Sequence, residues 1–346
     1  MAIVKINEIT EKTVKIFMNE GASESIAREI ADVLADTEMK GIWTHGFMRV
    51  AKYAECLREG GIRPTGAIEI VSDSPSMAVV TGKGGLGIAI AKRATELAIK
   101  KAEETGVGIV AVRGSHHLGA VGYYANMCAE RGMIGMACSN VPRMLAVTGG
   151  ASKAIGNNPF AYAVPAGKYG TVLYDIAMSV GSDMKLHAMR KNGDSIIPEG
   201  WIVDKKGRPT TKLDDFFDGG MLIPFGGYKG YGLAVMVEML SGALPAAATP
   251  TNGAPWNKTP RGEEGGNTGH FIMAINLDMA GGADAFIKRS ESLIEHFTSG
   301  PVAEGVDKIY YPGEKERANK AACLASGEIE VADDTLAAID ELYNKI

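Results

Sequence analysis

Paired glycines at 60–61, 84–85, 149–150, 219–220, 226–227, 265–266 and 281–282 punctuate this chain along most of its length. Glycine fills 44 of 346 positions, well above the usual ~7%, and no short repeat makes the pattern fibrous. Glycine reaches positive φ at little steric cost and lets two backbones approach closely. A chain so marked turns tightly between many elements, and several of those turns can wall a pocket with main chain. The rest of the composition, 46% hydrophobic and 22% charged, is ordinary for a folded globular protein.

Hydrophobic periodicity fills in the elements between those turns. The first sixty residues predict three helices: Ile6–Met18, a second over 24–42 in which Ile26, Ile30, Val33 and Leu34 share a face, and a third from His45 to Gly60-Gly61. From residue 76 the pattern alternates, with strands expected at 76–81, 107–112 and 133–139 and helices at 88–104 and 119–132. Further strands are expected at 160–165, 171–177 and 270–276, and helices at 231–244 and 283–297. This alternation marks an α/β lobe. Residues 246–269, rich in Pro, Gly, Thr and Asn, read as a long loop. The tail from 313 returns to helix, in position to fold back on the N-terminal helices.

Charge and cysteine usage exclude several classes of function. Lys and Arg number 36 against 41 Asp and Glu, a net −5, and no basic cluster interleaves with aromatics, so no nucleic-acid partner is expected. Cys56, Cys128, Cys138 and Cys323 are scattered without a C-x-x-C pair or zinc spacing. The N-terminus is charged too early for a signal peptide, and no apolar run reaches the length of a membrane span. A cytoplasmic location, core cysteines and no membrane partner are the expectation.

Gly82-Lys83-Gly84-Gly85-Leu86-Gly87 is a literal G-x-G-x-x-G between an expected strand and an expected helix, the setting of a dinucleotide fingerprint. Glycines there would let a pyrophosphate reach backbone N–H groups at a helix N-terminus. The fingerprint also wants an acid at the end of the next strand. That strand ends instead at Arg113-Gly114-Ser115-His116-His117, where Arg113 could meet a 2′-phosphate. The other reading is a turn where strand and helix pack closely.

Chemistry points to the histidines. His45 lies at the expected start of the third helix with Arg49 four residues on, so both would project from one face. That pair suits a 2-oxo acid: Arg forks onto the carboxylate and His carries a proton near neutrality. A helix-capping His beside a surface Arg is the plainer reading. His116-His117 follows a strand, and two successive side chains cannot both face one pocket, so at most one is chemical. No H-E-x-x-H or carboxylate at ligand spacing accompanies them, so no metal is expected. Lys229, among glycines at the opening of a helix, is placed for a phosphate or is a solvated turn residue. Asp175, near a strand end, takes a ribose hydroxyl or caps the segment after it.

Together these segments resemble the malate/L-lactate dehydrogenases of the second type, a family that also includes ureidoglycolate, sulfolactate and diketogulonate oxidoreductases and a cyclic-imine reductase. The family's R-G-x-x-S-H-G-x-x-R is similar to Lys40-Gly41-Ile42-Trp43-Thr44-His45-Gly46-Phe47-Met48-Arg49. Its N-H-F-G-A resembles His116-His117-Leu118-Gly119-Ala120, its G-T-N-P Gly156-Asn157-Asn158-Pro159, and its D-M-A-T-S Asp175-Ile176-Ala177-Met178-Ser179. The G-G-x-K-G-Y-G-L opening matches Gly226 to Leu233, and P-G-E matches Pro312-Gly313-Glu314.

The resemblance implies an α/β fold with a helical lobe and a mixed, largely antiparallel cofactor-binding sheet, not a standard Rossmann fold. The helical lobe would be 1–75 with 305–346, the sheet lobe 76–304, and the molecule a homodimer. It implies NAD or NADP at Asn140, Asp175, Ile176, Ala177, Ser179, Tyr228, Lys229, Gly313 and Glu314. Thr44 and Arg49 would hold a small 2-hydroxy or 2-oxo acid, with His117 and His45 as acid/base candidates and His117 preferred for oxidation. A cyclic-imine reductase, or a binding protein that has lost catalysis, are the alternatives. The sequence departs from the family at Thr44 (usually Ser), Met178 (Thr) and Asp183-Met184-Lys185 (A-x-G-K). The segments VAKYAE and KIYYPGE lean towards the ureidoglycolate branch.

Overall fold

In a computed structural model describing residues 1–252 and 267–346, the N-terminal periodicity produces three helices, Ile6–Asn19, Glu24–Met39 and Arg49–Arg58. Ser23 caps the second by accepting from Ile26 N, and Ile30, Val33 and Leu34 are fully buried on its inner face. The third helix begins at Arg49 rather than His45. Trp43–His45 forms a single 3-10 turn, and Gly46 at φ −91°, ψ −137° breaks the path. The reason is Glu38: its carboxylate accepts from Phe47 N at 2.8 Å, and a Cβ on Gly46 would lie 2.0 Å from its Oε2.

The chain's tail closes this helical body. Ala2–Lys5 pairs antiparallel with Glu328–Val331, and helices Glu314–Ser326 and Asp333–Tyr343 flank that strand. Lys40 and Lys320 both reach the buried carboxylate of Asp36, at 2.5 and 2.6 Å. One core joins Ile9, Phe17, Leu34 and Tyr53 to Ile329, Val331 and Ile339.

The larger sheet has seven strands in the order Glu69–Asp73, Met77–Thr81, Val107–Ser115, Thr268–Asn276, Met133–Ser139, Phe160–Pro165 and Thr171–Ile176. Only Met77–Thr81 with Val107–Ser115 is parallel; the other five pairings are antiparallel. The sheet is therefore mixed and largely antiparallel, not doubly wound. Side chains of Thr268–Asn276 alternate: Ile272 and Ala274 pack under helices Gly87–Thr105 and Gly122–Glu130, while Phe271 and Met273 face helix Tyr228–Glu238 and a smaller sheet. That smaller sheet joins Pro209–Thr210, Ile202–Val203, Met221–Leu222, Leu145–Ala146 and Lys153–Ile155. Its strands are too short to show a period. The edge strand Glu69–Asp73, exposed throughout, likewise escapes a reading based on burial. The expected loop 246–269 lies mostly outside the described residues.

Gly82–Gly87 is a packing turn. Gly82 N donates to Arg113 O, Gly84 N to Gly114 O, Gly85 N to Gly82 O and Leu86 N to Thr65 O. Four of the N–H groups of the turn itself are thus taken by carbonyls. A Cβ on Gly87 would stand 2.1 Å from His116 O, so the glycine there lets the helix start directly against the histidine pair. No helix among the described residues is long and apolar enough to cross a membrane. Cys56, Cys128 and Cys138 are buried and Cys323 is half-buried, none in a disulfide.

Candidate active site

Strand Val107–Ser115 runs three residues past its expected end and delivers His116 and His117 over the first turn of helix Gly87–Thr105. Tyr53, one turn into helix Arg49–Arg58, meets His117 there, its hydroxyl 2.6 Å from Nδ1. Gly119 N also donates to that nitrogen, at 3.2 Å. The 3-10 turn supplies the rest: the His45 ring stacks on His117, Thr44 Oγ1 lies 2.9 Å from His45 Nδ1, and Arg49 Nε donates to Thr44 O at 2.6 Å. Thr44, His45, Arg49 and His117 thus converge although the turn and helix do not share one helical face.

The electrostatics follow from burial. Desolvation, and then the Arg49 charge, push the His45 imidazole down to about 3. Desolvation, then Arg49, His45, His270 and His116, hold His117 well below the usual histidine range. Both rings are neutral at pH 7. Asp183, one of the departures from the family pattern, opposes the lowering that burial imposes on Arg49, as does Tyr53. Burial raises the Glu38 carboxyl behind the turn to about 7, against the Phe47 hydrogen bond.

The other histidine of the pair serves structure. His116 is fully buried and shifted down to about 4 by burial, with a backbone hydrogen bond at Gly61 opposing. His270 lies between Ser139 Oγ (2.9 Å) and Ser115 Oγ (2.8 Å) and bridges three strands.

The residues expected at a cofactor lie along one path. Asp175 Oδ2 accepts from Gly122 N at 2.7 Å, at the start of helix Gly122–Glu130, so it caps that helix and not the segment following its own strand. Burial raises its carboxyl to about 6. Ile176 ends the strand and Ala177 follows; Met178 is fully buried in the core. Ser179 bridges to Pro224, which leads to Gly226 and Gly227 at φ +58° and +62° and to Tyr228 and Lys229 in the first turn of their helix. Pro312 O accepts from Leu173 N, which lays Gly313 and Glu314 beside the edge strand.

Two observations fit these residues to a nicotinamide dinucleotide. Among the described residues, Ser179 Oγ and Glu314 Oε2 are buried with no hydrogen-bond partner, a cost that a bound polar ligand relieves. A cavity of about 410 Å³, in the range of cofactor pockets, opens between Val147, Val180, Pro224, Lys206 and the Gly226–Gly227 main chain; it adjoins Ser179 and Tyr228 in sequence but is lined by none of the expected cofactor residues. Asn140 differs: its amide donates to Glu238 Oε1 and Ala248 O and accepts from Gly269 N. Asn158 donates to the other Glu238 oxygen. This closed network braces the strand end on helix Tyr228–Glu238.

Sequence reasoning passed over Tyr53, Glu38 and the Glu238 network. Tyr53 had a signal, since His45, Arg49 and Tyr53 follow at intervals of four. Glu38 and Glu238 had none, because their partners are a turn and two loops whose approach only the fold determines.

The profile of the family described as malate/L-lactate dehydrogenase matches residues 4–340. The L-sulfolactate dehydrogenase of Methanocaldococcus jannaschii is 39% identical over 300 residues, 87% of this chain and 85% of that protein. A solved sulfolactate dehydrogenase from the same organism superposes with a TM-score of 0.91 over 99% of this chain and 97% of that one, at 34% identity. The malate dehydrogenase of Pyrococcus horikoshii is 37% identical over 311 residues, 87% of this chain and 84% of that protein. The NAD(+) ureidoglycolate dehydrogenase of Escherichia coli K12 is 30% identical over 331 residues, 94% and 91% of the two chains.

Proposed function

The chain belongs to the malate/L-lactate dehydrogenase family, and from that premise we propose that it interconverts a small 2-hydroxy acid and its 2-oxo acid with NAD or NADP, the Thr44, His45, Arg49 and His117 cluster forming the substrate end. That it is a dehydrogenase of 2-hydroxy acids follows from its relatives. The observation that carries the site is the convergence of one guanidinium and two neutral imidazoles in a buried pocket. Arg49, its Nε fixed on Thr44 O, presents the guanidinium fork to a carboxylate. The histidine pair handles the proton of the carbinol oxygen. A bound nicotinamide supplies the hydride acceptor.

Ser179, Tyr228, Lys229 and Glu314 would hold the cofactor, with Asp175, Ile176, Ala177 and Gly313 shaping the strand edge and Asn140 bracing its floor. The buried, unpartnered oxygens of Ser179 and Glu314 support this reading. Malate and sulfolactate lead the candidate substrates, because those relatives share 37–39% identity with this chain against 30% for the ureidoglycolate enzyme. We read the chain as a cytoplasmic homodimer; Leu233, Met236, Met239 and Leu244 form an exposed apolar face along helix Tyr228–Glu238 and the turn after it, surface that a second copy would cover. The test is a panel of 2-oxo acids and cyclic imino acids with NADH or NADPH, followed at the nicotinamide absorbance band. Oxidation with a 2-oxo acid is expected; turnover confined to imino acids, or none, would overturn the reading.

A further inference from the structure

The large sheet sets out the site along one row of strand ends. Val107–Ser115 leads into His117, Thr268–Asn276 starts beside it, Met133–Ser139 leads into Asn140, Phe160–Pro165 starts after Asn158, and Thr171–Ile176 leads into Ser179. These strands are successive neighbours, and Thr268 with Ser115, His270 with Ser139, Phe160 with Cys138 and Phe160 with Ile176 pair at the same edge. At about 4.8 Å per strand, Asn140 lies midway between the substrate cluster and the segment read above as cofactor-binding. A cofactor held at Ser179 that delivers its ring to a substrate at His117 has to cross this strand end.

Asn140 is bonded there to a buried carboxylate. Glu238 is the last residue of helix Tyr228–Glu238, where it passes into the π-turn Met239–Ala243. Its Oε1 accepts from Asn140 Nδ2 at 3.0 Å and its Oε2 from Asn158 Nδ2 at 2.9 Å. The second proton of each amide goes to a carbonyl, Ala248 O and Ala234 O. Each amide oxygen accepts a backbone N–H, from Gly269 and Val141. Neither amide can flip without setting N–H against N–H, so both keep their donors on the carboxylate. Asn158 holds its place at φ +29°, a conformation that costs a residue with a side chain. A Cβ on Gly242 would lie 2.7 Å from Glu238 Oε1, so the π-turn passes the carboxylate only as glycine. Among the described residues, the side chains bonded to Glu238 are these two neutral amides. Amides solvate a charge without cancelling it, and a buried charge ordinarily has an opposite one as partner.

Resting on the nicotinamide reading above, we propose that Glu238 is a standing counter-charge for the oxidised cofactor, fixed in place by Asn140 and Asn158, and that it makes the site bind the cationic nicotinamide ring more tightly than the neutral reduced one. The ring is positive when oxidised and loses that charge when it takes hydride. A carboxylate without a cation, held in a protein interior beside the ring's path, attracts the first state and is indifferent to the second. Arg49, at the substrate end of the same row, acts in the opposite sense while the pocket is empty. A substrate carboxylate docked on Arg49 neutralises it and leaves Glu238 as the net charge on the ring. Glu238 moves no proton and touches no reacting atom; it sets which redox state of the cofactor the protein prefers.

The test is binding and not turnover. Wild type and Glu238→Gln are titrated by calorimetry with NAD+ and NADH, and with NADP+ and NADPH. Glutamine keeps the size of the side chain and removes its charge. Glu238→Gln is expected to weaken the oxidised form on the order of tenfold and the reduced form by less than about twofold, as a charge acting over several ångströms in a protein interior does. Glu238→Asp keeps the charge on a shorter stem, so it should retain the preference while lowering the melting temperature. Equal weakening of both forms, or an unmoved ratio, makes Glu238 a brace of the strand end alone and overturns the proposal. Should Glu238→Gln fail to fold, wild type decides with nicotinamide mononucleotide and its reduced form, which differ only in the ring. The oxidised form is expected to bind more tightly, and equal or weaker binding overturns the proposal. Wild type that binds no nicotinamide cofactor in either state refutes the cofactor reading and the proposal with it, whereas bound cofactor with an unmoved ratio refutes the proposal alone.

Discussion

The imidazole rings of His45 and His117 lie 5.4 Å apart with 19° between their planes. Two buried imidazoles face to face cannot both be cations, and the Arg49 charge beside them raises the cost further. The pocket therefore holds at most one mobile proton, as a single hydroxyl–carbonyl interconversion requires.

Arg49 tests the substrate class. Lysine keeps the charge but loses the planar fork and the Nε bond to Thr44 O. Arg49→Lys is expected to raise KM for the 2-oxo acid roughly 10–150-fold, the worth of a charge-assisted hydrogen bond. Steady-state kinetics beside a melting curve check it; a lowered melting temperature with unchanged KM would make Arg49 a turn brace only.

Glu38 gives the protein a pH-dependent stability. Burial raises its carboxyl to about 7 in the folded protein, from the 4.5 of an ordinary glutamate, so the folded state binds the proton more tightly than the unfolded chain. This contribution is full below about pH 4.5, falls as pH rises towards 7, and is absent above. Glu38→Gln keeps an acceptor for Phe47 N and cannot ionise. Its melting temperature should therefore gain on wild type from pH 4.5 to 7 and then run parallel; a constant difference across that range would remove Glu38 as the source.

Ser179 separates folding from cofactor binding. Its hydroxyl is buried without a partner, so Ser179→Ala should leave the free protein as stable as before or slightly more so. The same change should weaken NADH or NADPH binding about 2–10-fold, the value of one hydrogen bond. A fluorescence titration with a thermal melt reads both, and unchanged affinity places the hydroxyl away from the cofactor.

Gly87 decides what the G-x-G-x-x-G stretch is for. A Cβ there meets His116 O at 2.1 Å, so Gly87→Ala should cost about 1–3 kcal/mol through overpacking and lower kcat by shifting His117. Cofactor affinity should hold. Lost affinity with intact stability would restore the dinucleotide reading of the motif.

What the sequence made legible follows from the range of each interaction. The three N-terminal helices and the main strands show in local period, and the His45–Arg49 pair in a spacing of four. The seat of His117 does not, because Tyr53 and Gly119 reach its Nδ1 from separate segments. The G-x-G-x-x-G pattern misleads for a related reason: its glycines answer to Thr65, Gly114 and His116, neighbours that a linear motif does not contain. The third helix reads one turn long because the carboxylate of Glu38, nine residues before Phe47, ends it from outside.

The centre of the large sheet is also its latest arrival. Thr268–Asn276 slots between Val107–Ser115 and Met133–Ser139, so a chain emerging from the ribosome carries two bare strand edges until its last quarter is made. Ala2–Lys5, at the very beginning, waits longer still for Glu328–Val331. Such edges recruit strands from other chains. Until residue 276 has been made, the two inner strands of the large sheet lack the neighbour that joins them.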